Sequence, residues 1–219
     1  MVHTERMDLS RPLATVLPAI DAGAIAVLAG TEAPLTGRQV AELAGESSHP
    51  STLRALLRLA AQGLVLVEPA GRANLYRLNR DHLLVPALLE IASADTLLRS
   101  RLADSISSWQ VPALHASLYG SVARGDASTT SDLDVLVVRP EGLATSDRQA
   151  WENQLSDLER RAFSWTGNPL SWLETTPTDL RRAGEAGEPL FQSWRDDAIL
   201  LTGQSLSSLM RAPQTPRRT

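Results

Sequence analysis

Two aspartates that lie two positions apart are the strongest sign of chemistry in the sequence. Asp132 and Asp134 belong to the run SDLDVLVV, which has the composition of a β-strand. Because side chains alternate along a strand, both carboxylates are expected on one face, where their repulsion makes a bare pair costly. A divalent cation removes that cost, and Mg²⁺ prefers hard oxygen ligands with phosphate as a co-ligand. The pair therefore predicts a cation site at which a polyphosphate meets an attacking oxygen.

A glycine and a serine precede these acids. Gly120 and Ser121 end the β-type run VPALHASLYGS. Glycine lets the backbone approach a phosphate closely, and the serine hydroxyl falls at an expected helix start, where free amide donors favour an anion. The turn therefore predicts a phosphate-binding segment beside the cation site.

The stretch GSVARGDASTTSDLDVLVV, in which ten residues separate Gly-Ser from Asp-Leu-Asp, resembles the DNA polymerase beta-like nucleotidyltransferases, and most closely their minimal nucleotidyltransferase branch. The resemblance implies that Asp132 and Asp134 ligate Mg²⁺ or Mn²⁺. It also implies that a nucleoside triphosphate, with ATP the expected one, is bound by Gly120, Ser121, Arg124 and Ser131. Arg124 has a second interpretation, an internal ion pair with Asp126 that stiffens the loop.

Active members of this family use a third carboxylate, on a later strand, to complete the metal site and deprotonate the nucleophile. In this chain that strand is predicted at residues 168–174, NPLSWLE. Alternation places Ser171 on one face of the strand and Glu174 on the other, and no acid lies in the middle of the strand. Glu174 is the candidate third catalytic acid, and an exposed glutamate at the end of a strand is the alternative.

Composition excludes several classes of protein. The chain has 219 residues with 43% hydrophobic and 21% charged residues, which is ordinary for a globular protein. It has no cysteine, so disulfides, thiolate metal sites and cysteine nucleophiles are excluded, and its four histidines match no zinc motif. No apolar run approaches the roughly 18 residues that span a bilayer. With no apolar signal-peptide core at the start, we expect a cytoplasmic protein without a membrane partner.

The first 80 residues predict three helices and a hairpin. The first helix is expected over residues 13–28 and the second between a Thr36 cap and Gly45. The third is expected to open with Ser51 as its cap and to end at Gly63. The runs LVLVEP and NLYRLN, separated by a Gly-containing turn, then predict two hairpin strands.

Three helices followed by a hairpin is the element order of winged helix-turn-helix regulators, which residues 8–80 resemble. Residues 50–80 carry five arginines against the single acid Glu68, although the whole chain has a net charge of -4. The resemblance places a groove-facing set on the third helix and a phosphate-gripping set on the wing. The first set is Ser51, Thr52, Arg54 and Arg58, and the second is Arg72, Asn74 and Arg77. The alternatives are a dimerisation or substrate-positioning module and arginines that are simply solvated.

The chain is therefore expected to have an α+β fold, with a winged helix-turn-helix followed by a mixed β-sheet flanked by helices. The predicted segments are the winged helix-turn-helix at 8–80, a linking helix or helices at 81–108, the nucleotidyltransferase domain at 109–211 and a disordered tail at 212–219. The first functional hypothesis is Mg²⁺-dependent transfer of a nucleoside monophosphate to a hydroxyl of a small molecule or of a protein such as a toxin. The second is a DNA-binding transcriptional regulator whose degenerate transferase domain senses a nucleotide. Double-stranded DNA and a second copy of the chain are further candidate partners.

Overall fold

The computed structural model describes residues 6–46, 48–187 and 189–211, so the predicted tail at 212–219 lies outside the described residues. The chain divides into two units. The N-terminal unit is Arg11–Asp95, and the C-terminal unit combines residues 6–10 with the chain from Thr96 onward. Within the described ranges, no helix has the length and apolar character needed to cross a membrane.

The N-terminal unit contains helices and a small antiparallel sheet. A short 3-10 helix at Pro12–Thr15 precedes α1 (Ala19–Ala29), α2 (Gly37–Leu43), α3 (His49–Ala61) and α4 (Val85–Ala92). The strands are β1 (Leu35–Thr36), β2 (Val65–Ala70) and β3 (Ala73–Leu78), in the order β1-β3-β2. Ile25, Leu56 and Tyr76 are almost fully buried and join the helices to the sheet. This is the winged helix-turn-helix arrangement that the sequence predicts.

Local signals explain where the helices of this unit begin. Thr36 caps α2 in a reciprocal capping box: its hydroxyl accepts from the amide of Gln39, whose side chain accepts from the amide of Thr36 at 2.8 Å. The predicted Ser51 cap of α3 is wrong, because α3 begins at His49 and Ser48 takes the cap position. Pro50 explains the shift, since a proline in the first turn of a helix needs no amide partner there.

The C-terminal unit is built on a mixed four-stranded sheet. Its strands are β4 (His115–Tyr119), β5 (Leu133–Val138), β6 (Leu170–Thr175) and β7 (Ile199–Gly203), in the order β6-β5-β4-β7. Only β5 and β6 are parallel among these neighbours. The helices are α5 (Ala94–Ser107), α6 (Gly120–Arg124), α7 (Thr145–Thr166), α8 (Pro177–Ala186), α9 (Pro189–Asp197) and α10 (Leu206–Arg211). The predicted α+β fold class is confirmed.

Helices cover both faces of this sheet. On one face, Leu133 and Val135 pack in a cluster with Leu102 of α5 and Leu158 of α7. On the other face, Leu136 and Val138 pack with side chains of the C-terminal helices, namely Leu180, Phe191, Trp194, Leu206 and Leu209. Because side chains alternate along β5, Asp134 belongs to the second face. The sheet thus aims this aspartate at the end of β4, where α6 begins.

Candidate functional site

Gly120 and Asp134 are in close contact at the end of β4. Gly120 has a φ of 72°, in the left-handed region that favours glycine. The space that a Cβ on residue 120 would need is occupied by the Asp134 carboxylate, whose Cγ lies 3.3 Å from that position. Residue 120 is therefore restricted to glycine both by its backbone and by this carboxylate. The structure brings the predicted phosphate-binding turn and one predicted cation ligand together.

Asp132 lies within electrostatic reach of Asp134. The sequence predicts Asp132 inside the strand, but β5 begins at Leu133, so Asp132 is the residue immediately before the strand. Burial raises the pKa of Asp134, the charge of Asp132 raises it further, and the charge of Arg124 lowers it. The carboxylate pair therefore carries the repulsion that a divalent cation relieves.

Tyr119 lines the site beside Asp134, and the sequence did not indicate this residue. It is opposite Asp134 in the β4–β5 ladder, and its ring packs edge-on against Trp194 at 6.3 Å between centroids. Burial and the negative charge of Asp134 together raise the pKa of the Tyr119 hydroxyl. Its only sequence signal is its position directly before the glycine-serine turn.

The other predicted nucleotide-binding residues lie on α6 and on the loop that follows it: Ser121 and Arg124 belong to α6, and Ser131 lies between α6 and β5. Arg124 pairs with Asp126, with 3.3 Å between Nε and Oδ2, and the pair is largely exposed. Arg124 therefore forms the internal ion pair while its charge still acts on Asp134. The Ser131 hydroxyl accepts from the amide of Ser128 at 2.9 Å, so this side chain closes a turn of the loop.

The predicted third acid does not join the two aspartates. Glu174 lies opposite Val137 in the parallel β5–β6 register, on the face away from Asp134. It forms an ion pair with Arg139, with 2.6 Å between Oε1 and Nε. The residue in register with Asp134 is Ser171. Among the described residues, no group of three or more histidine, aspartate or glutamate side chains could hold a metal ion.

An arginine from the start of the chain reaches the site instead. Arg6 Nη1 donates to Asp132 Oδ1 at 2.9 Å and to the carbonyl of Thr130 at 3.0 Å. These partners are more than 120 residues away along the chain, so no sequence pattern indicates the contact. Asp132 is therefore approached by a positive charge as well as by a neighbouring acid.

Five of the seven residues predicted to contact DNA are exposed on the N-terminal unit, and the fifth, Arg58, is described below with its ion pair. Arg54 on α3 and Arg72 and Asn74 on the hairpin are exposed, and so is Arg77, which pairs with Glu68 at 3.0 Å. This surface keeps a positive charge on both the third helix and the wing. It is consistent with the two predicted sets, although Glu68 partly neutralises the wing.

The other predicted residues of α3 have internal partners. Thr52 is fully buried and its hydroxyl donates to the carbonyl of Ser48 at 3.3 Å, so its predicted place on the groove-facing surface is wrong. Half-buried Ser51 accepts hydrogen bonds from Ser48 and Arg54. Arg58 forms an ion pair with Asp21 of α1, whose side chain is 8% exposed. Thr52 and Arg58 of α3 therefore make contacts inside the N-terminal unit.

Comparison with known proteins supports the C-terminal assignment. A family model described as a nucleotidyltransferase domain matches residues 101–171, which include Gly120, Asp132, Asp134 and Ser171. Residues 101–171 are thus similar to nucleotidyltransferase domains. Domains of this family generally use a nucleoside triphosphate and a divalent metal. No curated protein matches the sequence.

One solved structure shows a partial likeness. The MarR family transcriptional regulator SPO1453 from Silicibacter pomeroyi DSS-3 is similar to part of the chain, with 27% identity and a TM-score of 0.34. The match covers 42% of this chain and 66% of that one, just under two thirds of the regulator's length. A likeness at this level assigns no function to the chain.

Proposed function

We propose that the C-terminal unit binds a nucleoside triphosphate with Mg²⁺ or Mn²⁺ and transfers its nucleoside monophosphate to a hydroxyl, with pyrophosphate leaving. The contact between the Asp134 carboxylate and Gly120 carries this proposal, because a carboxylate of the type that Mg²⁺ prefers lies beside the proposed phosphate-binding turn. The nucleotidyltransferase family match over this segment supports the same reaction class.

The donor set fits a hard cation. Asp132 and Asp134 supply carboxylate oxygens, and Mg²⁺ is commonly held by one or two carboxylates together with substrate phosphates. When bound, such a cation neutralises phosphate charge and polarises the phosphoryl groups. Gly120 keeps the backbone accessible, while Ser121 and Arg124 offer a hydroxyl and a positive charge toward the phosphates. Arg124 is well placed for this role because its charge already acts on Asp134.

A second function is favoured by the residue beside Asp134. Ser171 occupies the register position from which a third carboxylate could reach the two aspartates, and a serine hydroxyl is a poor general base at neutral pH. Without that carboxylate, the unit would bind nucleotide and transfer slowly. Such a unit could act as the nucleotide sensor of a DNA-binding regulator.

We also propose that the N-terminal unit binds double-stranded DNA. Exposed Arg54 on α3 and exposed Arg72 and Asn74 on the hairpin are placed on the two elements that a winged helix uses for the groove and the backbone. Arg58 is a weaker candidate than predicted, since it already pairs with Asp21. Modulation of DNA binding by bound nucleotide would link the two proposed activities.

The deciding experiment compares transfer with binding. The full chain is incubated with each of the four α-³²P-labelled nucleoside triphosphates, Mg²⁺ and cell lysate, and label on protein and small-molecule fractions is measured. Nucleotide affinity is measured in parallel by calorimetry. Label transfer that disappears in the Asp132→Ala/Asp134→Ala variant supports the transferase, whereas tight binding without transfer supports the sensor. If neither binding nor transfer is seen with any nucleotide, both functions are excluded.

A further inference from the structure

The start of the described chain is fastened to the C-terminal unit by several contacts. The amide of Met7 donates to the carbonyl of Thr166 at 3.1 Å, and Asn168 Nδ2 donates to the carbonyl of Met7 at 3.2 Å. Leu9 is 4% exposed in the cluster that contains Leu133 and Leu170. The Ser10 hydroxyl donates to the carbonyl of Ala127 at 2.7 Å. We call residues 6–10 the N-terminal strap. The contacts of Met7, Leu9 and Ser10 hold Arg6 next to Asp132.

Arg6 holds Asp132 with only part of its guanidinium. One guanidinium nitrogen, Nη1, donates both hydrogen bonds of the Arg6 side chain, one to Asp132 Oδ1 and one to the carbonyl of Thr130. Within the described residues, Nε and Nη2 of Arg6 make no hydrogen bond, and neither does Oδ2 of Asp132. Three N–H donors of the guanidinium therefore remain for a ligand, and one carboxylate oxygen remains for a cation.

Arg6 adds little to folding through its ion pair with Asp132. Asp132 and Asp134 lie near two arginines, Arg6 and Arg124, and Arg124 is shared with a third acid, Asp126. The Arg6 side chain is 36% exposed and that of Asp132 is 42% exposed, and an ion pair this accessible contributes at most about 1 kcal/mol to folding. Stability alone gives little reason for an arginine here.

We propose that Arg6 binds the polyphosphate of the nucleotide: Asp132 orients its guanidinium, whose free N–H donors bind phosphate oxygens. A planar guanidinium suits this role because it can donate two parallel hydrogen bonds to one phosphate. The N-terminal strap thus supplies a phosphate ligand that lies outside the Gly120–Asp134 segment. The inference rests on the proposed nucleotide binding and adds a residue to it.

The test measures binding of sodium tripolyphosphate and of ATP to the full chain, in Mg²⁺, by isothermal titration calorimetry. Tripolyphosphate is used because it reports phosphate contacts without a base. Arg6→Ala and Arg6→Gln are expected to weaken its binding by about tenfold or more, and Arg6→Lys by less, since lysine keeps the charge but not the fork. The matched control is Arg160→Ala, which removes an exposed arginine paired with Asp157 on α7; it should leave the affinity unchanged.

The outcomes separate this inference from the proposed function. Wild-type binding that Arg6→Ala and Arg6→Gln leave unchanged overturns the role of Arg6 alone. Tighter binding in those variants also overturns it, because Arg6 would then compete with the cation for Asp132. No binding of either probe to the wild type removes the proposed function and the inference together. Thermal melting checks the fold of each variant, and Arg6→Gln and Arg6→Lys decide the matter if Arg6→Ala does not fold.

Discussion

The Asp134 carboxylate fills the space that a Cβ on Gly120 would need, while Gly120 itself has a φ of 72°. Gly120→Ala is therefore expected to lower the free energy of unfolding by about 1–3 kcal/mol from backbone strain and to displace the carboxylate. Nucleotide affinity should fall as a result. The matched control is Gly142→Ala, because Gly142 has a φ of 62° but nothing within 4 Å of an added Cβ. If the two variants bind ATP equally well in calorimetry, contact with Asp134 does not matter for binding.

The two carboxylates should control the dependence of nucleotide binding on Mg²⁺. The Asp132→Ala/Asp134→Ala variant is expected to lose Mg²⁺-dependent ATP binding, because both proposed cation ligands are removed. Calorimetric titrations of ATP at several Mg²⁺ concentrations measure this. Asp157→Ala, which removes an exposed acid of α7, is the control. Unchanged affinity in the double variant would refute the cation assignment.

Ser171 and Glu174 can be distinguished by opposite substitutions. Ser171→Asp adds an acid in register with Asp134 and is expected to raise the rate of label transfer at saturating nucleotide by about tenfold or more, against roughly 10²–10⁴-fold for a fully positioned general base. Glu174→Gln removes an acid that faces the other side and pairs with Arg139, so transfer should not change. Loss of transfer in Glu174→Gln would instead make Glu174 the catalytic acid.

The Arg58–Asp21 ion pair should contribute mainly to stability. Arg58→Ala leaves the Asp21 carboxylate buried without this partner, so we expect the free energy of unfolding to fall by about 1–3 kcal/mol. Urea denaturation measures the change, and the Asp21→Asn/Arg58→Gln double variant should recover part of it. Arg54→Ala should leave the unfolding free energy nearly unchanged. A stability loss in Arg54→Ala equal to that in Arg58→Ala would contradict the prediction that Arg58, and not Arg54, stabilises the unit.

DNA binding should depend on Arg54 and Arg72, which are exposed on α3 and on the hairpin. Arg54→Ala and Arg72→Ala are expected to weaken binding to duplex DNA, and each arginine that neutralises a phosphate should account for about one unit of the slope of log affinity against log salt. Fluorescence anisotropy at several salt concentrations gives both the affinity and the slope. Arg160→Ala, on the C-terminal unit, is the charge-matched control. Full binding by the Arg54→Ala/Arg72→Ala double variant excludes this surface as the DNA site.

Buried His115 predicts a loss of stability in mild acid. Burial lowers its pKa, and its Nδ1 donates to the carbonyl of Gln204 at 2.7 Å, which opposes part of that shift. The unfolded chain therefore takes up the proton first, so stability falls as pH drops below about 6.5, by up to about 1.4 kcal/mol per pH unit. Urea unfolding between about pH 7.5 and 5.5 tests this. His115→Asn should flatten the dependence relative to exposed His49→Asn, and identical slopes would rule His115 out.

Short-range patterns were enough for much of the fold. The Thr36 capping box, the hairpin around Gly71 and the strand that ends at the Gly120 turn each depend on residues only a few positions apart. Thr176 likewise caps α8 by accepting from the amide of Asp179. The cap of α3 was misplaced because Pro50 allowed the helix to begin before Ser51.

The sequence by itself determined the winged helix-turn-helix, the mixed sheet flanked by helices, the Gly-Ser turn and the two aspartates. Each of these is indicated by residue types and spacings within a short stretch of chain. Only the tertiary structure decided which partners those residues have. The register of β5 with β6 places Ser171, and not Glu174, beside Asp134, and chain segments more than 120 residues apart bring Arg6 to Asp132. Thr52 is likewise buried inside the N-terminal unit, and packing of α1 against α3 pairs Arg58 with Asp21. Such contacts depend on how whole elements pack, and residue spacing along one element carries no information about that.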